Sequence, residues 1–351
     1  FSDTLKGKVT AFYGDYDKGY QNFYAASYNE AVSPDLVTLD GYVDTTQREN
    51  LILSGNLIKE AAFAGMSHRF LVGAEFVETS SDQDRWNTFW SGTSDDRETF
   101  SISRPMGIVG GVGINALGAQ TVNDFTADLN DETRVEIEVS SFYLQDEMAI
   151  TDYLDVVLGA RFDQFEIDVF NVPANDTRTK RDEEISPRLG VVYKPVESMS
   201  LYVSYSESFL PRSGEQFANI NGSKGQLDAD TFSNSEVGFK WDLSPGLSFT
   251  AAAFEIEQES PQVADDDPST LDVIESQIDG FEVQLQGQMN EAWYVSAAYS
   301  YLDGEQSDRL GGTGLRPREL PENMFSVWSF VEVTPSLGVG IGLTYQDESY
   351  I

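Results

Sequence analysis

The sequence predicts an all-β protein, specifically a transmembrane antiparallel up-and-down β-barrel of which this chain forms a part. Three observations support this fold class. Apolar and polar residues alternate with period two over most of the chain, as on strands with one apolar face. Short turns and long loops alternate along the chain, which places all turns at one rim of a barrel and all loops at the other. The face opposite the apolar one carries charged and amide side chains, which suits a wet or filled interior.

Composition narrows the class of protein. The 351 residues include 59 Asp and Glu against 22 Lys and Arg, for a net charge of −37, which argues against nucleic acid or an anionic membrane surface as a partner. With 40% hydrophobic and 12% aromatic residues, the chain nevertheless buries apolar surface. It has no cysteine, which excludes disulfides and any metal site built on sulfur.

No run of about 18 apolar residues occurs, so the sequence predicts no transmembrane helix, whereas strands of a membrane β-barrel leave only a weak hydropathy signal. The sequence starts at Phe1 with neither Met nor a signal peptide, and it stops at Ile351 within an apparent strand. We therefore expect it to be an internal part of a longer protein.

The clearest hairpin lies within residues 141–165. On its second arm the apolar residues of 154–162 occupy every second position, and charged residues or glycine occupy most positions between them. The first arm alternates more loosely, and the two arms meet at a short polar turn around 151–152. This pattern predicts two antiparallel strands joined by a tight turn.

Before this hairpin the sequence predicts another one, with strands over residues 8–16 and 20–29 around a polar corner at 17–19, and then a strand over 70–76. Residues 80–131 lose the period-two pattern and mix large aromatics with charges and a glycine-rich run. A loop this long in a folded domain is usually functional or disordered. We therefore expect the longest loop of the chain here.

After the hairpin, short turns are predicted at 195–198, 244–246 and 290–292, and a polar stretch at 171–184 and loops at 210–231 and 306–320 separate the strands. The total is about fourteen strands. The alternative fold is a soluble β-sandwich with one solvated face, but a sandwich gives no reason for turns and loops to segregate to opposite ends.

The alternation also assigns faces to individual residues. Facing lipid we expect Leu158, Val203, Val283, Val295 and Ile341. Facing the barrel interior we expect Arg161, Ser204, Gln284, Ser296 and Gly340. Packing of both sets in one dry interior would refute the barrel.

Six segments carry a family resemblance: GMSHRFLVGAEF, SSFYLQDEMAITDYLDVVLGARFD, SPRLGVVYKPVESMSLYVSYSESFLP, SEVGFKWDL, DGFEVQLQG and LPENMFSVW. Their order and spacing over nearly the whole chain resemble the barrel of TonB-dependent outer-membrane receptors, in the siderophore-receptor branch. The resemblance implies a barrel of about 22 strands with an N-terminal plug inside it. Residues 1–351 are then expected to form about fourteen of these 22 strands, with the plug and the closing C-terminal strands outside the chain.

The resemblance also implies location in the outer membrane of a Gram-negative bacterium, with outer-membrane lipid around the barrel. The implied partners are a ferric siderophore or similar chelate, and the TonB complex through the missing N-terminal region. Iron enters only as part of the bound siderophore, and no cofactor is implied.

Two features that could suggest a metal or catalytic site are interpreted as structural. His68 is the only histidine, so the chain cannot build a histidine cluster or a histidine-dependent triad, and His68 lies in a predicted turn. The aspartates at 265–267 lack the spaced, converging oxygens of a calcium site and are interpreted as a solvated loop tip. No metal site and no enzyme activity are therefore expected.

A ferric siderophore is bulky, partly flat and usually anionic, so its site needs aromatic walls and guanidinium donors. The candidate ligand-binding residues in the predicted loops are Trp86, Trp90, Arg97, Phe100, Arg104, Arg212, Arg316 and Arg318. The alternative for each is ordinary packing within its loop. The net charge of −37 leaves a neutral or cationic chelate as an alternative ligand.

The predicted function is energy-coupled import of a ferric siderophore. Within transport, the alternatives are cobalamin, haem or an oligosaccharide. Outside it they are a passive porin or an adhesin barrel, although the sequence lacks the opposed acidic and basic rows of a porin constriction. An outer-membrane phospholipase or protease needs a Ser/His or Asp/His arrangement, and the single His68 lies on the short-turn side.

Overall fold

The computed structural model describes residues 4–89, 97–103, 112–114, 120–122, 124–211, 228–263, 271–308 and 314–350. All regular structure in these ranges is β-strand. The first seven strands are β1 (Leu5–Tyr28), β2 (Leu36–Phe63), β3 (Met66–Phe89), β4 (Glu98–Ser101), β5 (Val112–Ile114), β6 (Gln120–Val122) and β7 (Asp124–Thr151). Among the described residues there is no helix long and apolar enough to cross a membrane.

Nine further strands follow: β8 (Leu154–Asn171), β9 (Asp176–Val196), β10 (Met199–Leu210), β11 (Asp230–Ser244), β12 (Leu247–Val263), β13 (Leu271–Asn290), β14 (Trp293–Asp308), β15 (Asn323–Thr334) and β16 (Leu337–Gln346). In one antiparallel sheet, β1, β2, β3 and β7 to β16 each pair with the next in that order, while β4 pairs with β2, and β5 with β6. Thirteen described strands thus run up and down in chain order, close to the predicted count of fourteen.

Six connections between consecutive strands contain only two residues each: 64–65, 152–153, 197–198, 245–246, 291–292 and 335–336. Because the strands alternate in direction, all six lie at one rim of the sheet, which we call the turn rim. Gly65 and Gly246 have φ of 79° and 88° in two of these turns, a conformation that favours glycine. The longer connections lie at the opposite rim, the loop rim. The predicted segregation of turns and loops is confirmed.

Strand pairing fixes which residues share a face, because directly paired residues project to the same side of an antiparallel sheet. Followed from β8 to β16, the pairs place the predicted lipid-facing residues on one side, the outer face, and the predicted lumen-facing residues on the other, the inner face. On the outer face Leu158, Val203 and Ile341 are 47%, 59% and 72% exposed, whereas Val295 is 9% exposed. Apolar side chains exposed on this scale suit contact with lipid, and the predicted register is confirmed.

The first predicted hairpin is wrong, because β1 is a single strand. Residues 17–19, predicted as its corner, pair without interruption with residues 45–47 of β2. A Cβ atom at Gly19 would meet nothing within 4 Å, so no close approach marks a turn there. The polar residues interrupt the apolar pattern because this part of β1 extends beyond the lipid-facing band, where both faces can be polar.

Two connections are shorter than the sequence suggests, because the strands that flank them also extend beyond the lipid-facing band. The predicted loop at 80–131 is wrong at both ends, since β3 continues to Phe89 and β7 begins at Asp124. The polar stretch 171–184 is also mostly strand, with only residues 172–175 between β8 and β9. β2 and β7 each contain 28 residues, far more than the roughly 9–11 residues with which a tilted strand crosses a bilayer. Their ends lose the apolar alternation but keep their hydrogen-bonded pairing.

The apolar residues of β8 change face where the strand leaves the lipid-facing band. Apart from Val157, those up to Phe162 lie on the outer face, but Phe165, Ile167 and Val169 lie on the inner face and are 0–9% exposed. Their partners on β7 complete a buried inner-face cluster: Val135, Ile137 and Val139. The inner wall near the loop rim therefore contains a packed apolar core, which the expectation of a polar inner face misses.

On the outer face, carboxylates replace apolar residues at the same height. Rows of directly paired acidic residues cross β3, β7 and β8, and again β12, β13 and β14. We call these residues the acidic collar: Glu78, Glu138, Glu166, Glu255, Asp279 and Asp303. Part of the large negative charge thus lies on the outer surface just beyond the apolar band.

Candidate functional site

An inner-face arginine near the loop rim lies between an aromatic ring and a carboxylate. Arg85 of β3 donates hydrogen bonds of 2.8 Å from Nε and Nη2 to the two oxygens of Asp44 on β2. Its guanidinium carbon lies 4.4 Å from the ring centroid of Tyr42, within range of a cation–π interaction. The Tyr20 ring of β1 is 6.1 Å from that of Tyr42. These residues form the mouth cluster: Tyr20, Tyr42, Asp44 and Arg85.

The mouth cluster contains one positive and one negative side chain, Arg85 and Asp44, whose charges compensate each other. The hydrogen bonds to Asp44 raise the pKa of Arg85 above its ordinary value, so the guanidinium stays protonated. The Arg85 side chain is still 49% exposed. The cluster therefore presents an aromatic and guanidinium surface whose charge is balanced by one carboxylate.

A second arginine–carboxylate pair lies further along β2. Arg97 Nε donates to Asp40 Oδ2 at 2.9 Å, and the backbone amide of Gly41 donates to the other oxygen at 2.7 Å. Asp40 is 6% exposed and pairs directly with Tyr24 of β1. Burial and the negative charge of Asp40 raise the pKa of Tyr24, so its phenol remains a neutral hydrogen-bond donor. Arg97, one of the predicted site residues, thus sits against an inner-face carboxylate.

Deeper in the wall, Arg161 of β8 connects residues of three strands. Its Nε donates to both oxygens of Asp163, at 2.9 and 3.0 Å. Its Nη2 donates to Glu75 of β3 at 3.0 Å and to the hydroxyl oxygen of Ser141 on β7 at 2.7 Å. The Tyr143 ring centroid lies 5.6 Å from the guanidinium carbon. We call these five residues the wall cluster. Since Asp163 is 5% exposed, Arg161 supplies the charge that this carboxylate needs.

A groove of about 620 Å³ adjoins the wall cluster. Its lining continues across β9, β10 and β11 with Arg188, Ser204, Ser206, Asn234 and Glu236. The groove is mostly polar, and Asn234 Oδ1 is buried without a hydrogen-bond partner. Its volume falls in the range of small-molecule pockets, so the inner wall can hold polar groups of a bulky molecule.

The predicted site residues do not form a single cluster. Trp86 lies on the outer face of β3, where it pairs with Val43 and packs against the buried cluster of Leu39 and Val43. It is therefore on the opposite side of the sheet from Arg85. Phe100 belongs to β4, where its backbone pairs with Val37 of β2.

The later predicted arginines lie in the connection between β14 and β15. Arg316 donates to the carbonyl of Leu320 at 3.3 Å and to Glu322 at 3.1 Å, so its hydrogen bonds are made within its own connection. Arg318 is exposed. The remaining predicted residues, and the aspartates at 265–267, lie outside the residues that the structure describes: Trp90, Arg104 and Arg212.

Three members of the mouth cluster were not predicted as site residues: Tyr20, Tyr42 and Asp44. The predicted corner at 17–19 divided β1 and hid a regular pattern. In an uninterrupted strand, residues four apart lie on the same face. Aromatic residues occur at this spacing along β1: Phe12, Tyr16, Tyr20 and Tyr24. That spacing is the signal that could have identified the cluster.

His68 has a structural environment, although it lies in β3 and not in a turn. Its Nδ1 is 2.9 Å from Asp146 Oδ2 on β7, and its ring stacks on Phe63 at 3.8 Å. The residue is 5% exposed, so it joins three strands near the turn rim. In the part of the chain that the structure describes, no group of three or more His, Cys, Asp or Glu residues is arranged to hold a metal ion.

An up-and-down sheet with an exposed apolar outer face, a largely polar inner face and opposite turn and loop rims defines the wall of an outer-membrane β-barrel. The family described as "TonB dependent receptor-like, beta-barrel" matches residues 1–351. The chain belongs to this family of outer-membrane receptors, and the resemblance noted in the sequence is confirmed.

Curated relatives include siderophore receptors. The chain is 29% identical over 320 residues to "Probable TonB-dependent siderophore receptor PiuA" of Acinetobacter baumannii, covering 81% of this chain and 41% of PiuA. It is 25% identical over 317 residues to the ferrichrome outer membrane transporter/phage receptor of Escherichia coli K12, covering 88% and 40%. The chain thus spans about two fifths of the length of these relatives.

Solved structures show the same fold. The crystal structure of the siderophore receptor PiuA from Acinetobacter baumannii superposes with a TM-score of 0.84 at 24% identity, covering 99% of this chain and 53% of that one. The ferric preacinetobactin receptor BauA from the same species gives a TM-score of 0.77 at 18% identity, covering 100% and 51%. At these identities the likeness establishes the barrel fold.

Proposed function

We propose that the protein containing this chain is an outer-membrane receptor that binds a ferric siderophore and imports it with energy from the TonB complex. The observation that carries the proposal is the mouth cluster, an aromatic and guanidinium surface on the inner face of a receptor-family barrel. Flat, oxygen-rich chelates are bound by stacking and by charge-assisted hydrogen bonds. The names of the relatives, a siderophore receptor and a ferrichrome transporter, support the same ligand class.

Energy coupling, in this proposal, belongs to parts of the receptor outside residues 1–351. A plug domain closes the barrel and contacts the TonB complex, and additional strands complete the wall. The support is that the chain covers only 41% of PiuA. Iron is cargo within the chelate and not a resident cofactor.

The ligand contacts that we propose combine the predicted residues with the mouth cluster. Of the predicted residues, those that we retain as direct contacts are Trp90, Arg97, Phe100, Arg104, Arg212, Arg316 and Arg318. Arg97 is supported by its position against Asp40 on the inner face. Trp86 supports the site indirectly. It packs against Val43 of β2 on the outer face and so fixes the position of β3, which carries Arg85.

The test is equilibrium binding of a panel of ferric siderophores to the complete receptor in detergent, with cobalamin, haem and an oligosaccharide as comparison ligands. We expect a ferric siderophore to bind. Trp90→Ala and Arg97→Ala should each weaken binding by about 1–3 kcal/mol, because each leaves a desolvated contact unmade. Trp90→Ala should leave folding unchanged within about 0.5 kcal/mol, as is usual for loop substitutions. Arg97→Ala should also lower stability, because it leaves the buried Asp40 without its guanidinium partner.

The matched control is Arg69→Ala. Arg69 lies on β3 near the turn rim and pairs with Glu147 at 3.6 Å, far along the strand from the mouth cluster, so its loss should leave affinity unchanged. Unchanged affinity in both Trp90→Ala and Arg97→Ala would remove these residues from the site. Preference for cobalamin or haem would replace the ligand class, and passive conductance without saturable binding would indicate a porin.

A further inference from the structure

Four aromatic side chains form a row along the inner face of β1: Phe12, Tyr16, Tyr20 and Tyr24. All four pair with inner-face residues of β2. Their exposed fractions are nearly equal, at 45%, 48%, 45% and 44%. At four-residue spacing, successive Cα atoms lie about 14 Å apart. This row, the aromatic track, leads from the lipid-spanned part of the wall toward the loop rim.

Each tyrosine of the aromatic track has an arginine nearby. Tyr16 pairs directly with Arg48 of β2. Tyr20 belongs to the mouth cluster, where the guanidinium lies against the adjoining ring. The residue paired with Tyr24 holds Arg97 at 2.9 Å. The track is therefore a series of three tyrosine–arginine stations.

Carboxylates balance the charge at two of these stations. Arg85 donates two hydrogen bonds to Asp44, and Arg97 donates one to Asp40. These stations therefore offer aromatic faces and hydroxyl groups with little net charge, and each should hold a ligand only weakly. Movement through a series of sites requires each site to be weak enough to release its ligand.

The ring of Tyr16 lies along the wall over Gly14. A Cβ atom at Gly14 would come within 2.7 Å of Cε2 and Oη of Tyr16, so the glycine provides the space that the ring occupies. The hydroxyl end of the ring therefore lies over the backbone at Gly14, while Tyr16 remains 48% exposed. This orientation suits stacking by a flat group that moves past the wall.

We propose that the aromatic track is the path along which a ferric chelate with flat aromatic oxygen donors, of the catecholate or phenolate class, moves from the mouth into the barrel. The proposal rests on the import function proposed above and adds its route and its chelate class. Catecholate rings stack on tyrosine faces and accept hydrogen bonds from their hydroxyl groups. A trihydroxamate chelate offers no aromatic ring to stack.

The experiment separates binding from transport in cells that carry the complete receptor. Equilibrium binding and the initial rate of uptake are measured for a ferric tris-catecholate and for a ferric trihydroxamate. We expect Tyr16→Ala and Tyr20→Ala each to lower the rate of catecholate uptake about fivefold, the loss of one aromatic contact. Binding at the mouth should change less than about twofold in Tyr16→Ala. Tyr16→Phe, which keeps the ring and loses only the hydroxyl group, should lower the rate less than Tyr16→Ala.

Two variants of neighbouring residues sharpen the result. Tyr13→Ala removes an aromatic ring from the same strand but from its outer face, where Tyr13 is 62% exposed, and should leave uptake unchanged. Gly14→Ala keeps every tyrosine but displaces the Tyr16 ring, and should slow uptake in the same direction as Tyr16→Ala.

Unchanged uptake in both tyrosine variants would overturn the aromatic track. So would an equal loss of trihydroxamate uptake, or a loss of binding as large as the loss of transport in Tyr16→Ala. These results differ from failure of the proposed function itself, in which the wild-type receptor would bind no ferric chelate of either class.

Discussion

Asp163 depends on Arg161 for its charge balance in the barrel wall. The carboxylate is 5% exposed, and removing one partner of a buried ion pair leaves an uncompensated charge. We expect Arg161→Met to lower the free energy of unfolding by about 2–3 kcal/mol. Adding Asp163→Asn should restore part of the loss, because the uncompensated charge is then gone. Thermal unfolding of the complete receptor in detergent measures both variants.

The comparison for this prediction is Arg69→Met. Its ion pair with Glu147 is 3.6 Å long, with both side chains exposed, at 56% and 43%. A solvent-exposed pair contributes little, so the loss should stay below about 0.5 kcal/mol. Equal losses at Arg69 and Arg161 would mean that Arg161 acts only as a surface ion pair.

Asp84 gives the outer surface a specific pH dependence. Burial and the negative charge of Glu132, its direct partner on β7, raise the pKa of Asp84 above its ordinary value of 3.8. A carboxyl group with a higher pKa in the folded state binds its proton more tightly there, so its contribution to stability is lost as the pH rises through that pKa. We expect Asp84→Asn to raise the free energy of unfolding by about 0.2–1 kcal/mol at neutral pH. Unfolding at about pH 4 and about pH 7 should differ less in the variant, and a variant less stable than wild type at neutral pH would contradict this account.

At the scale of residues, the sequence predicts faces better than contacts. The inner-face position of Arg161 follows from period two alone. Its partner Glu75 lies 86 positions away, and only the register between strands brings the two together. The contact between Tyr42 and Arg85 was missed for the same reason, since it depends on how β2 aligns with β3.

Within a strand, the two faces should tolerate substitution very differently. Val203 is 59% exposed on the outer face, and Ser204 lies on the inner face. We expect Val203→Arg to cost about 2–4 kcal/mol of stability if it lies near the bilayer midplane, and Ser204→Arg much less. Urea unfolding of the complete receptor in lipid vesicles compares the two, and equal costs would be inconsistent with a lipid-facing Val203.

Near the loop rim the inner face of β8 should be the one that is sensitive to substitution, because the apolar residues change face within this strand. Ile167 is fully buried on the inner face, and Glu166 lies on the outer face. We expect Ile167→Ala to lower the free energy of unfolding by about 2–4 kcal/mol, because it opens a cavity in the inner cluster. Glu166→Ala should be nearly neutral by the same measurement. An unchanged free energy of unfolding in Ile167→Ala would show that the inner-face cluster does not stabilise the part of the wall beyond the bilayer.

At the scale of elements, the sequence predicts the membrane-spanning segments and their turns. The turns at 195–198, 244–246 and 290–292 were predictable because strand residues that face lipid are apolar at every second position. The short turns interrupt this alternation. Outside the bilayer the outer face need not be apolar, so the outer parts of β1, β3 and β7 could not be recognised from apolar alternation. In β8 the period of two persists but its phase shifts by one residue between Phe162 and Phe165, which alternation within the spanning segment does not reveal.

For the whole molecule, the acidic collar makes stability depend on salt. Carboxylates directly opposite one another on neighbouring strands destabilise a sheet, and salt screens exposed charges over about 10 Å at 0.1 M. We expect the unfolding temperature of the complete receptor to rise between low and moderate NaCl concentration. Glu138→Gln, at the centre of the row from Glu78 to Glu166, should reduce that rise. A salt-independent unfolding temperature would argue against repulsion within the collar.

The two edge strands of the described sheet, β1 and β16, affect how the chain behaves on its own. β1 pairs only with β2, and β16 only with β15, among the strands that the structure describes. Open strand edges leave backbone groups that lipid cannot satisfy. We expect residues 1–351, expressed alone, to aggregate. Recovery of a heat-modifiable species integrated in membranes would contradict this expectation.

The barrel and its family could be predicted from the whole sequence because many weak segments occur in a consistent order. The ligand site could be predicted only as a type of surface. Trp86, chosen for its residue type, lies on the outer face. Tyr20, in a region predicted as an ordinary hairpin, and Tyr42, for which no site role was predicted, lie on the inner one. A composition argument identifies the chemistry of a site but not the side of the sheet on which each side chain lies.

The six two-residue turns also bear on the order in which the chain assembles. Strands joined by two residues meet after the closure of a very short loop, whereas β3 and β7 meet only after residues 90–123 have been closed into one. Contacts that are local in sequence form quickly. Hairpins closed by these turns should therefore become ordered first, beginning at the turn rim. Apart from β8 and β9, which four residues also join at the loop rim, folding would then proceed toward the loop rim, so that most of the entrance for the ligand becomes ordered last.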